Sequence, residues 1–371
     1  MNRLSSRERV FKTLEFEVPD RIPLDEPEGR FRSDTWRKLE NYYATDDEDD
    51  IERILGIDFR RATRGLSEEF KKKSNYFGVP FDGWLISLGG GRFQDEWGIE
   101  YSLTSDGLHW RYARHPLRSA DDQNAIEFPD LDALGRFDGA KRVVQECKKD
   151  YVIEAYLWGT LFEIGWALRG FERFIIDLVR GSSFASKLLD RLLKYRIEEA
   201  IRFLELGVDV IQLGDDFGMQ RSMIISPAIW RTYFKPRMKT IIHELRKRSR
   251  KTIYVFYHSC GFIDPIIPDL IEIGVDILNP IQPEAMDPAS IKGKFGDRLV
   301  LHGTISIQRT LPFGSKEDVR QEAISRIEKC GKNGGLIIAP AHAPQPDVPV
   351  QNLVTLYETV KRYSLSSSSA N

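Results

Sequence analysis

The chain has 371 residues and a formal net charge of −2, with 41% hydrophobic and 30% charged residues. A near-neutral balance without a long basic stretch argues against a nucleic-acid partner, and no apolar run reaches the length that spans a membrane. Cysteines number 3 (Cys147, Cys260 and Cys330), too few and too odd for a disulfide framework, which fits a reducing, cytoplasmic setting.

The charged stretch from Met1 to Phe16 lacks the apolar core of a signal peptide. Within it, Ser5-x-x-Glu8 is a capping box and predicts a helix running to Phe16. Arg21 to Asp25 reads as a short strand or the approach to one. Residues 31–91 are polar and mix helix with loop, with an acidic run at Asp46–Asp50. Gln94-Asp95-Glu96-Trp97-Gly98 leads into alternating residues and a turn signal at Asp106-Gly107, which predicts an excursion or hairpin.

From Tyr151 the pattern becomes regular. Strand-like runs at 151–156, 208–213, 252–257, 275–281, 298–302 and 336–339 alternate with amphipathic helices. One helix places Leu189, Leu193, Ile197, Ile201 and Leu204 on one face and ends at Gly207. Ser226-Pro227 supplies an N-cap and a first-turn proline for another. Leu204–Ile211 matches Ile271–Leu278 in residue type at every position: helix end, glycine cap, apolar strand. Such repeated joins, with strands that are apolar runs rather than alternations, predict a parallel sheet covered by helices. No Gly-x-Gly-x-x-Gly or P-loop follows a strand. The number of units favours a (β/α)8 TIM barrel with an irregular N-terminal excursion, forming a single domain over 1–363 followed by a disordered, serine-rich tail at 364–371.

In a barrel, chemistry gathers at the C-terminal strand ends. The 252–257 run ends in His258-Ser259-Cys260. Residues two apart on an extended segment point the same way, so an imidazole and a thiol converge as two zinc donors, or else serve as a rim histidine and a buried filler. The last run opens into Pro340-Ala341-His342-Ala343-Pro344-Gln345-Pro346. Prolines brace that loop, and His342 is either a third ligand or a general acid/base. The 208–213 run ends in Gly214-Asp215-Asp216, where the carboxylates either accept protons and orient substrate or cap the following turn. Glu163, Asn279, Gln282, His302 and Gln345 are candidate substrate contacts.

These strand ends resemble the uroporphyrinogen decarboxylase superfamily, which includes the decarboxylase and the zinc-dependent cobamide methyltransferases. The resemblance runs through Ser6-Arg7-Glu8-Arg9-Val10, Pro19-Asp20-Arg21-Ile22-Pro23, Asp95-Glu96-Trp97-Gly98 and Gly214-Asp215-Asp216. It is strongest from Ile267-Pro268-Asp269-Leu270 to Pro346-Asp347-Val348-Pro349. It implies a barrel, a small-molecule substrate and a homodimer. The methyltransferase branch binds zinc through a His-x-Cys pair and a later cysteine. His258 and Cys260 match the pair, while His342 stands where the later cysteine is expected, so the implied metal set is His258, Cys260 and His342. A corrinoid would arrive on a partner protein, because the chain has no Asp-x-His-x-x-Gly motif. Asp215, Asp216 and His342 are the implied catalytic groups. The alternative is cofactor-free decarboxylation of a tetrapyrrole or other acid. That branch's arginine-rich N-terminal signature is missing, which leaves Arg61, Arg64, Arg92 and Arg221 as candidate carboxylate partners. A non-catalytic binding barrel is the third reading.

Overall fold

The computed structural model describes residues 4–27, 31–78, 83–105, 110–157 and 159–363. The turn expected at Asp106-Gly107 and the tail expected at 364–371 lie outside them. Strands in chain order are β1 (Phe59–Thr63), β2 (Tyr76–Gly78), β3 (Gly83–Gly89), β4 (Arg92–Gln94), β5 (Glu100–Leu103) and β6 (Trp110–Arg114). They continue with β7 (Val152–Tyr156), β8 (Val210–Gly214), β9 (Tyr254–His258), β10 (Ile277–Asn279), β11 (Val300–His302) and β12 (Leu336–Ile337). They form a 7-stranded sheet in the order β1-β7-β8-β9-β10-β11-β12 and a 5-stranded sheet in the order β2-β3-β4-β5-β6. The first is parallel throughout and the second antiparallel.

The parallel sheet is curled. Phe59, Val152, Val210, Phe256, Ile277, Val300 and Ile337, one residue from each strand, pack in a single cluster, and one short segment, around Leu24, reaches both edges of the sheet. Val10 and Leu14 of the helix Ser6–Leu14 join that cluster and plug its lower end. The predicted capping box is present at Ser5 and Glu8. Arg9 binds the buried Asp58 at 2.8 Å, and Arg7 grips Asp209 with two nitrogens at 2.6 and 2.7 Å. These bonds tie the helix to the approaches of β1 and β8. Residues 23–25 touch both edges of the sheet: Leu24 pairs in parallel with Ile338, and its carbonyl accepts from the Asp58 amide at 2.9 Å.

The other face of the sheet packs against the helices, so strands such as β8 are buried at every position. Gly207 and Gly274, the two matched glycines, both cap helices with positive φ, at 94° and 101°. The long helix Ser183–Leu206 differs from the expected face. Its buried stripe includes Leu188, Leu189, Leu192, Tyr195, Arg196, Glu199 and Phe203; of the expected face Leu189 is buried, while Leu193, Ile197, Ile201 and Leu204 lie at the margin. Arg196 and Glu199 are buried as an ion pair, so their polarity concealed the true face.

The excursion is the antiparallel sheet. Asp95 organises its entry turn by accepting from the amides of Trp97 and Ile99 and from the Tyr101 hydroxyl. Glu96 anchors it through Arg136, at 2.5 and 2.7 Å. Tyr112 of β6 packs on Trp166 at 5.0 Å between ring centroids, which docks this sheet on the helix Phe162–Arg169 that follows β7. Among the described residues, no helix is long and apolar enough to cross a membrane.

Candidate active site at the strand ends

Strands β8 and β9 are neighbours, with Gly214 opposite His258. At Gly214, φ is +152°, and an added Cβ would lie 2.2 Å from the His258 carbonyl oxygen. Beyond the strands, the loop backbones cross at Gly218 and Gly261, where a Cβ on Gly218 would meet the Cys260 oxygen at 2.4 Å. Glycine at these positions lets the two strand-end loops touch.

That contact brings Asp216 to the His-x-Cys pair. The Cys260 amide donates to Asp216 Oδ1 at 2.7 Å, His258 Nε2 lies 3.2 Å from the same oxygen, and Cys260 Sγ lies 3.6 Å from His258 Nε2. One donor atom from each of Asp216, His258 and Cys260 lies within 4.8 Å of the other two. His258 Nδ1–H donates to Asn279 Oδ1 at 2.5 Å, which turns Nε2 toward the other two donors. A cavity of about 130 Å³ opens beside them, lined in part by Tyr156, Glu163, Gln212, Asp216, His258 and His342.

The carboxyls of this region divide by environment. Burial works to raise Asp216, but the hydrogen bond and charge of His258, the Cys260 amide and the charge of His342 outweigh it and hold the group below its ordinary value. Glu163 goes the other way: burial and then the charges of Asp216 and Asp215 push it well above the usual carboxylate range. Asp215 is fully buried and pushed up by burial to about 7, although it accepts from the amides of Leu161 and Glu163. Burial likewise pushes Glu154, on the inner face of β7, up to about 7 against the pull of Arg61.

A carboxyl raised on folding stabilises the fold fully below its unfolded value, about pH 4, and withdraws that support as pH climbs through its folded value. The Glu154→Gln protein is therefore expected to gain thermal stability relative to wild type as pH rises from about 5 to 8. Parallel melting profiles for the two proteins across that range would refute the assignment.

Of the residues singled out by sequence, the structure gathers Asp216, His258 and Cys260, and places Glu163 and His342 on the same cavity. Asp216 is the third donor of the trio, and His342 lies on the cavity beside it. Asp215 faces the backbone at the start of the helix Phe162–Arg169 rather than the cavity. Asn279 and His302 are fully buried below the site and bonded to each other at 2.6 Å. Gln282 accepts from the Gly261 amide at 3.1 Å and so braces the loop after Cys260. Gln345 donates to the Ala343 carbonyl within its own loop.

The four arginines also separate. Arg61 is paired with Asp25 at 2.9 Å and Arg64 with Glu199 at 2.7 Å, whereas Arg92 and Arg221 are exposed. Sequence reasoning missed Asp25, Glu154 and Gln212, all buried. The available signal for Glu154 and Gln212 was a charged or amide side chain in the middle of an otherwise apolar strand.

Residues 98–363 match the uroporphyrinogen decarboxylase (URO-D) family. The uroporphyrinogen decarboxylase of Trichodesmium erythraeum is 26% identical over 160 residues, which is 43% of this chain and 42% of that protein. The chain thus spans less than half the length of that relative. The enzyme of the same name from Coxiella burnetii is 21% identical over 263 residues, 68% of this chain and 70% of that protein. A methyltransferase from Methanosarcina mazei shares the fold, with a TM-score of 0.68 at 18% identity, over 96% of this chain and 98% of that one.

Proposed function

The chain belongs to the uroporphyrinogen decarboxylase family, and on that premise we propose that it is a zinc-dependent corrinoid methyltransferase. It would move a methyl group between a corrinoid carried on a separate protein and a small thiol or methoxylated substrate. The observation that carries this reading is the trio Asp216, His258 and Cys260. Ligands at 2.0–2.3 Å around a tetrahedral zinc are separated by about 3.3–3.6 Å. The measured 3.2 Å (His258 to Asp216) and 3.6 Å (His258 to Cys260) match that spacing. One thiol, one imidazole and one carboxylate are also a donor set that zinc accepts. Asp216 then takes the role that the resemblance assigns to a later cysteine. Zinc held there would supply a Lewis acid that keeps a substrate thiol deprotonated or stabilises a leaving oxygen.

The remaining groups work around that centre. Glu163, raised by burial and its acidic neighbours, holds a proton on the cavity wall for delivery to a leaving oxygen. Gln212 Oε1 is buried, has no hydrogen-bond partner among the described residues, and belongs to a residue lining the cavity, so it accepts from a substrate hydroxyl or amine and orients it. We also read the curled sheet as a closed (β/α)8 barrel with residues 23–25 as its eighth strand. The bonds from that segment to both sheet edges support this.

A second reading, decarboxylation without a cofactor, is favoured by the names of the curated relatives. The cavity weighs against a tetrapyrrole polycarboxylate. Its volume of about 130 Å³ is small beside the roughly 300–1,000 Å³ typical of ligand pockets, and the ionised Asp216 on its wall would repel an anion.

Zinc content separates the readings. Wild type purified without chelators is expected to carry about one zinc per chain, lost in Cys260→Ser and Asp216→Ala and retained in His342→Ala. It should also demethylate methylcobalamin when a thiol is supplied. Failure to take up zinc on reconstitution under reducing conditions would refute the proposal and leave the decarboxylase reading ahead.

A further inference from the structure

Below the cavity, one hydrogen-bonded path runs from the trio into the interior of the sheet. His258 Nδ1–H donates to Asn279 Oδ1 at 2.5 Å, and Asn279 Nδ2–H donates to His302 Nδ1 at 2.6 Å. His302 Nε2–H then donates to Asp25 Oδ2 at 3.1 Å, and Asp25 Oδ2 also receives Arg61 at 2.9 Å. Asn279, His302 and Asp25 are all fully buried. Glu154 stands behind Arg61, with Oε1 at 3.7 Å from the guanidinium.

The direction of this path is set at its far end. Beside a guanidinium, Asp25 is ionised and can only accept, so His302 must carry its proton on Nε2 and offer Nδ1 as an acceptor. Only the amide NH2 of Asn279 can satisfy that acceptor, which leaves its carbonyl oxygen facing His258. A carbonyl can only accept, so His258 holds a proton on Nδ1 and presents Nε2 to Asp216 and Cys260. Reversing any single link would bury two acceptors or two donors against each other and leave buried polar groups unsatisfied.

We propose that Asn279, His302 and Asp25 are positioning residues, a relay that carries the polarity of the Arg61–Asp25 ion pair to His258, keeps a proton on its Nδ1 and holds its Nε2 toward Asp216 and Cys260. This rests on the zinc reading only for its consequence, tighter metal binding. The proton on Nδ1 is independent of any metal, because Asn279 Oδ1 can only accept, whether Nε2 is bare or donates to Asp216. None of the three touches the cavity in this role, although sequence alone pointed to Asn279 and His302 as substrate contacts.

The test uses the full chain labelled with 15N-histidine, with His258 assigned by loss of its signals in His258→Asn. In wild type the His258 ring is expected to show a protonated Nδ1. In His302→Leu that state should be lost or mixed, and zinc affinity, measured by competition with a chromophoric chelator, should fall by about 10- to 100-fold. His302→Gln, whose amide can still accept from Asn279 and donate to Asp25, should restore most of both signals. It also guards against a His302→Leu protein that fails to fold. An unchanged His258 signal in folded His302→Leu would overturn the relay. Wild type that shows the Nδ1–H signal but takes up no zinc would instead overturn the metal reading and leave the relay standing.

Discussion

The Arg61→Ala protein is expected to be less stable than wild type by about 3–5 kcal/mol at neutral pH, read from urea midpoints. Arg61 extends from the inner face of β1 into a site that water barely reaches, between Asp25 and Glu154, both fully buried. Its guanidinium binds Asp25 at 2.9 Å and is the cation nearest Glu154 in this cluster. Removing one partner of a buried ion pair leaves the other desolvated and uncompensated, which costs far more than losing an exposed pair. The sign of the pH dependence follows from the same cluster. Burial opposes ionisation of Asp25, and Arg61 and His302 more than compensate, so its carboxyl lies below the ordinary value in wild type. Without Arg61 both carboxyls should titrate higher in the folded state than in the unfolded one. Stability of the variant should then decline as pH rises, and its deficit against wild type should widen from about pH 5 to 8. A deficit that stays constant over that range would mean that Arg61 acts through packing rather than charge.

The Gly214→Ala protein should lose about 3 kcal/mol and, with it, metal binding. The new methyl would lie 2.2 Å from the carbonyl oxygen and 2.7 Å from the nitrogen of His258. Both obstacles are backbone, so no side chain can swing aside, and β8 and β9 must part at the point where Asp216, His258 and Cys260 meet. Gly139→Ala is the matched control. It lies exposed in the helix Asp138–Cys147, and its Cβ would meet nothing within 4 Å. That change should be neutral or stabilising by up to about 1 kcal/mol. Calorimetry beside zinc titration checks both proteins. Gly214→Ala with wild-type stability and wild-type affinity would show that the strands can separate without cost.

Much of the architecture can be read from local chemistry. Ser5 and Glu8 mark a helix because a capping box works within four residues, and Gly207 and Gly274 mark helix ends because the positive φ there favours a residue without a Cβ. His258 and Cys260 are visible as a pair because the alternation of an extended segment is likewise a local rule.

The first strand of the parallel sheet was not visible. Phe-Arg-Arg-Ala-Thr reads as polar, and its place inside the fold depends on Asp25 and Glu154, which come from distant segments to neutralise Arg61. The buried face of the helix Ser183–Leu206 is shifted for the same reason, since Arg196 and Glu199 are buried with partners in each other, and Glu199 also in Arg64 from a distant segment.

The site divides along the same line. Sequence alone determined the alternating units, the strand ends where chemistry collects and the His-x-Cys pair, all set by rules that act over a few residues. Tertiary structure brings Asp216 to the pair and places His342 on the same cavity. Strand β8 is hydrogen-bonded to β9 with Gly214 opposite His258, and the curl of the sheet brings the His342 loop after β12 to the same cavity. Tertiary structure also decided that Asn279 and His302 lie buried beneath the site, bonded to each other. Strand order and register set those distances, and they are properties of the assembled sheet rather than of any one segment.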